Sequence, residues 1–120
     1  MQLPQLYRRG VVRPLDDLAA IQLAAFRIDA SIRVEWLPIL GDDQFGEIWE
    51  SGMLQRINEA CNIQISDYEE IELKACDIPK ALRALECPNN GSRNVVTFLD
   101  ALKKLLKEAA RTATNVYFVF

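Results

Sequence analysis

The 120-residue sequence predicts a two-layer α+β domain, with helices packed on a small mixed β-sheet and the C-terminal strand buried. Three observations predict it. Residues 95–111 carry Phe98, Leu102, Leu105 and Ala109 at helical spacing, widened into a stripe by Leu99 and Leu106. The last six residues, Asn115-Val116-Tyr117-Phe118-Val119-Phe120, are β-branched or aromatic after Asn115 and apolar on both faces, so they read as a strand covered on both sides. Between the N-terminus and residue 95, stretches of period 2 alternate with stretches of period 3.6. The length suits one domain, residues 1–120, large enough to bury a core without disulfides or metals.

The elements follow in chain order. Pro14 is placed to start a helix at its first turn, with Asp16 and Asp17 near the positive pole of the dipole. Leu18, Ile21, Ala25 and Ile28 then have helical spacing. Ile21-Gln22-Leu23 and Phe26-Arg27-Ile28 also alternate, so a strand within 20–28 is the alternative. Residues 31–36 alternate, with Ile32, Val34 and Trp36 on one strand face. Leu40-Gly41-Asp42-Asp43 is a break. Residues 43–61 read as helical, with Phe45, Ile48, Trp49, Met53, Ile57 and Cys61 inward and Gly52 marking a kink or two helices. Residues 69–75 read as a strand with Ile71, Leu73 and Ala75 inward, leaving Glu70, Glu72 and Lys74 on its outer face. Asp77 then caps a short helix, 78–86, with Pro79 in its first turn. Residues 87–92 form a loop of Pro, Asn, Gly and Ser. In the 95–111 helix, Asp100 and Lys104 are spaced for an i,i+4 pair, and basic residues through Arg111 suit its negative pole.

Charge is distributed unevenly. Residues 29–77 hold twelve acids against three bases, Arg33, Arg56 and Lys74, while the flanks carry an excess of bases, for a total of −3. A middle so acidic predicts a negative face that attracts cationic partners and repels nucleic acid. Two segments supply it. Asp43, Glu47 and Glu50 fall at i, i+4, i+7 on one helical face, with Asp42 beside them, although Asp42 and Asp43 also have a plain role in neutralising the helix start. The tract Asp67-Tyr68-Glu69-Glu70-Ile71-Glu72 is the densest. Two carboxylates at i and i+2 on one strand face repel until a cation arrives, so Glu70 and Glu72 suit a docking surface, with Tyr68 as an aromatic anchor. The competing reading is a solvated outer sheet face. Trp36 and Trp49 fit apolar faces, with Trp49, between Glu47 and Glu50, the better placed for a partner.

Other chemistry finds little support. The chain has no histidine, which removes Ser-His-Asp and Cys-His catalysis within it. Cys61, Cys76 and Cys87 are odd in number and widely spaced, so they read as reduced thiols, mostly buried. No Asp-x-Asp pair or glycine-rich phosphate loop occurs, and no metal or cofactor is expected. The basic face of Lys103, Lys104 and Lys107 lacks interleaved aromatics, so nucleic-acid binding is not expected. No apolar run reaches the roughly 20 residues of a membrane span, and residues 1–7 lack the long apolar core of a signal peptide, so the expected location is the cytoplasm.

Acidity, the α/β order, the Asp67-Tyr68-Glu69-Glu70 tract and the lack of histidine together resemble small bacterial toxin-immunity proteins of contact-dependent and polymorphic toxin systems. The resemblance extends over the whole chain at the level of size and class, without a shared motif. It implies a non-catalytic, cytoplasmic binding protein, a monomer or weak homodimer, that docks and neutralises a cationic protein such as a nuclease toxin. An assembly subunit that completes a sheet through Val116–Phe120 is the alternative, and a carboxylate-dependent metal enzyme a third.

Overall fold

The computed structural model describes residues 9–25, 33–66, 70–86 and 92–120. Four strands form one sheet: β1 (Gly10–Pro14), β2 (Val34–Pro38), β3 (Glu70–Leu73) and β4 (Val116–Val119), in the order β2-β1-β4-β3. All three pairings are antiparallel, which corrects the expected mixed sheet. The α+β class holds, and β4 lies at the centre with all four residues buried. Because β4 is paired on both sides, it offers no edge for completing a sheet in a second molecule, and the sequence-based alternative of assembly through it falls.

The layering follows from period 2 in the strands. Val11, Phe118, Leu73 and Val116 face one way, into the main core. That core is closed by α2 (Asp42–Glu50), α3 (Met53–Cys61), α4 (Ile78–Ala84) and α5 (Arg93–Thr112). Val12, Tyr117 and Val119 face the other way and meet Ala19 and Leu23 of α1 (Asp17–Ala24), with Val34 and Trp36 beside them. A single short helix therefore adds a third layer to the two expected.

The strand β1 is absent from the sequence-based reading, and Pro14, placed there at a helix start, instead ends this strand. Its missing N–H costs no ladder bond to β4, whose pairing with β1 stops at Val12↔Tyr117. The helix begins three residues later, where Asp16 Oδ1 accepts from the Ala19 N–H at 2.8 Å. Helix rather than strand occupies 20–24, and residues 26–28 of that alternative lie outside the described residues. What hid β1 is Arg13, a charged residue facing the main-core side. It is tolerated there because its register partner is Glu35, whose Oε1 accepts from Arg13 Nε at 2.6 Å.

Elsewhere the local chemistry acts as expected. Gly52, at φ +83, separates α2 from α3 and begins the second helix. Asn58 clamps the loop after α3, donating to Ile65 O at 3.0 Å and accepting from the Ile65 N–H at 2.7 Å. The α5 stripe of Phe98, Leu99, Leu102, Leu105, Leu106 and Ala109 is buried as anticipated. Four details differ. The strand placed at 31–36 runs from Val34 to Pro38, with 31–32 outside the described residues. Asp77 precedes α4 without a side-chain capping bond and pairs with Lys80 at 3.6 Å. Asp100 and Lys104 make no ion pair, while Glu108 and Arg111 do at 2.7 Å. Cys76 is exposed; Cys61 is buried, its thiol pushed up by desolvation and then by Asp77, and Cys87 lies outside the described residues.

Candidate functional site

One end of the sheet collects the acidic segments. Pro38, Gly10, Val119 and Glu70 form a single row across β2, β1, β4 and β3. Four residues past Pro38 the chain enters α2, so Asp42 and Asp43 start that helix beside the row. α5 also begins at this end, because it runs down the core and turns back into β4. The start of α5 is joined directly to the middle of α2: Ser92, the N-cap of α5, accepts from the Val95 N–H and donates to Glu47 Oε2 at 3.2 Å.

The helix α2 is held down by aromatics. Phe118 and Phe120 meet edge to face with centroids 6.0 Å apart, Phe120 meets Phe45 at 5.4 Å, and Phe45 stacks with Trp49 at 6.1 Å. Arg9 lies over the Phe45 ring at 4.8 Å and pairs with Asp42 at 3.3 Å. Phe45 and Ile48 point inward, which by the 3.6-residue period turns Asp43, Glu47 and Glu50 outward together. All three are exposed, and α2 contains no basic residue. Trp49 is partly buried on this helix rather than projecting with the acids.

The second segment behaves differently. Asp67, Tyr68 and Glu69 lie outside the described residues. Ile71 and Leu73 face the main core, so Glu70 and Glu72 share the opposite face, the one α1 covers. Glu70 is exposed at the common end of the sheet. Glu72 was expected on a free outer face, but it is partly buried and its Oε2 accepts from the Tyr117 hydroxyl at 2.9 Å. Lys74 is exposed just past the strand. The acids of α2 and those of β3 therefore project from opposite sides of the sheet and approach each other only at the row that ends in Glu70.

Burial, then the bond to Glu72, pushes the Tyr117 hydroxyl up to about 12. A group whose neutral form is favoured on folding contributes its stability below its unfolded value, near 10, and loses it as pH rises through the folded value. Unfolding by urea at a series of pH values is expected to show stability falling between pH 10 and 12, and Tyr117→Phe to flatten that limb. An unchanged fall in the variant would assign it to other groups.

Among the described residues, six acids of the middle region have no basic partner within ion-pair distance: Asp43, Glu47, Glu50, Glu59, Glu70 and Glu72, the last bonded to Tyr117 instead. Flanking bases do tie up three others, Glu35 through Arg13, Asp42 through Arg9 and Asp77 through Lys80. Among the described residues no three Cys, Asp or Glu side chains converge as metal ligands, and no helix is long and apolar enough to cross a membrane.

The fold and this surface define a class: a small α+β domain that carries acids on an exposed helix laid over an antiparallel sheet. Among solved structures, the Neisseria DNA mimic protein DMP12 is similar, at 15% identity and a TM-score of 0.62, over 94% of this chain and all of that one. At that identity the likeness is one of fold. No protein-family model matches the chain, and no curated protein matches its sequence.

Proposed function

We propose that this chain is a non-catalytic acidic decoy, a protein that docks on a cationic protein at the surface used for binding DNA. The observation that carries the reading is the α2 face. Asp43, Glu47 and Glu50 are stacked at i, i+4, i+7 with no base among them. Like charges so spaced destabilise a helix by about 0.2–0.5 kcal/mol per pair. Glu50, at the C-terminal end, also opposes the helix dipole, at a cost of about 0.3–1 kcal/mol. Among the described residues only Glu47 has a partner within the fold, the Ser92 hydroxyl, and no base offsets the repulsion, so the arrangement marks a surface shaped by something outside the fold. Three carboxylates along about 10 Å of helix give one charge per about 5 Å. One strand of a DNA duplex carries one per about 3.4 Å. The fold shared with a DNA mimic protein agrees with this reading.

The docking set is Asp43, Glu47 and Glu50, with Asp42 at its margin because Arg9 already pairs with it, extended at the sheet end by Glu70 and by Asp67, Tyr68 and Glu69, which precede it in sequence. Glu72 serves the fold through Tyr117 and contributes at the margin. A nuclease toxin is one member of the partner class, so the immunity role is a special case of the decoy. The chain itself acts in the cytoplasm and binds no nucleic acid.

The test begins with proteins of the source organism eluted from DNA-cellulose, passed over the immobilised chain at about 50 mM and then about 500 mM salt, where steering is screened. A basic DNA-binding protein is expected to be retained at low salt and to release DNA when the chain is added. Replacing Asp43, Glu47 and Glu50 together with Lys is expected to slow association with that protein at least about tenfold. The melting temperature of the variant should stay within a few degrees, because all three side chains are exposed. Retention that ignores both salt and the triple substitution would falsify the reading.

A further inference from the structure

A groove of about 250 Å³ runs between the second half of α2 and the start of α5, lined by Glu47, Glu50, Ser51, Ser92 and Val95. Its hydrogen-bonding character is one-sided. The Ser51 hydroxyl donates to Ile48 O and the Ser92 hydroxyl to Glu47 Oε2, so both hydroxyl hydrogens are spent inside the fold. Serine has no other side-chain donor, and an ionised carboxylate has none. The lining side chains therefore offer acceptors alone, namely Glu47 Oε1, both oxygens of Glu50 and the remaining serine lone pairs. No base lines the groove, and Arg93, next to Ser92, is exposed and outside the lining. The hollow at the start of α2, lined by Leu40, Gly41, Asp42, Asp43, Gln44 and Asn94, lacks this bias, because its two side-chain amides bring donors.

We infer that this groove receives one arginine side chain of the cationic partner, with the guanidinium bridging Glu47 and Glu50 and the methylene stem lying on Val95. The inference rests on the decoy reading for the protein that supplies the arginine. Negative charge with acceptors only is matched by a cation that only donates, which among side chains means arginine or lysine. Two features favour arginine. Glu47 and Glu50 stand one turn apart at i and i+3, about 5–6 Å between Cβ atoms, and a planar fork of N–H groups spans that gap more readily than a compact ammonium. Val95 gives the lining an apolar member, and a guanidinium, less strongly hydrated than an ammonium, gives up its water more easily beside it. Glu47 is already held by Ser92, so that carboxylate loses little freedom when the cation arrives. Among the described residues no third Cys, Asp or Glu joins the pair, so no metal cage forms here. An arginine so seated relieves the repulsion between Glu47 and Glu50. It also fixes the register of a partner that charge alone would only attract.

Nitrogen–proton correlation spectra of the full chain, titrated with the blocked tripeptide acetyl-Gly-Arg-Gly-amide up to about 20 mM at about 50 mM salt, test this. The amides of Glu47, Glu50, Ser51 and Ser92 are expected to move along one saturating curve. The matching lysine tripeptide should need at least about threefold more for the same shift. Glu50→Gln should weaken the arginine peptide about fivefold, the loss of one ion pair. Asp43→Asn removes the same charge from the same helix face but outside the groove, and should weaken it less than about twofold. Both side chains are exposed, so both variants fold. Absence of a saturating shift at the groove, equal binding of the two peptides, or equal losses in the two variants would each overturn the inference. None of these results bears on whether the unaltered chain retains a DNA-binding protein, so failure of the groove stands apart from failure of the decoy reading.

Discussion

Replacing Gly10 with alanine is expected to destabilise the protein by about 2–5 kcal/mol, the sum of backbone strain and overpacking. Gly10 sits at φ +153, which L side chains rarely adopt. An added Cβ would overlap the Leu37 carbonyl oxygen across the β1–β2 ladder and lie 2.8 Å from the Trp36 ring. Neither neighbour can withdraw cheaply. Leu37 is paired with Val11 in the ladder, and Trp36 packs over the small second core. The ring of Trp36 covers the glycine, as aromatics on sheets often do. In a chain of this size each kcal/mol moves the melting temperature by about 4 °C, so thermal unfolding followed by circular dichroism reads the effect directly. Gly46, in α2 with open space around it, supplies the control. Gly46→Ala should raise stability by about 0.5–1 kcal/mol through helix propensity. If both variants melted together, the tight approach at Gly10 would be wrong.

Truncating Phe118 to alanine is expected to cost about 3–5 kcal/mol. The ring is fully buried at the centre of the sheet, between Val11 and Ile71 in register. It also begins the aromatic chain through Phe120 and Phe45 that seats α2. Its loss therefore leaves a cavity under the helix that carries the docking acids. Urea unfolding should show a lower midpoint with an unchanged slope, the signature of lost stability without a change in the denatured state. A melting temperature close to that of the parent chain would mean that β4 is not the middle of the core.

Much of the architecture was legible because it rests on local signals. α5 announced itself through an apolar stripe at helical spacing, and β4 through a run of β-branched and aromatic residues. The split at Gly52 and the inward set of Phe45, Ile48, Met53 and Ile57 followed from period and from one flexible residue. The alignment of Asp43, Glu47 and Glu50 was legible for the same reason, since a helix converts spacing into a shared face.

What could not be read locally depends on partners distant in sequence. β1 carries an arginine in its interior, and only Glu35, 22 residues away, makes that position tolerable. Glu72 looked like any outer-face acid until Tyr117, 45 residues on, came to bond it. The central place of β4 likewise required β1, so the missing first strand concealed why β4 itself leaves no edge open.

The sequence alone determined the class, the inward face of each long helix and the excess of negative charge, because each depends on periodicity or composition. Tertiary structure decided which acids are free. A carboxylate is committed to the fold or left for a partner by what lies across from it, and strand order and register set that neighbour.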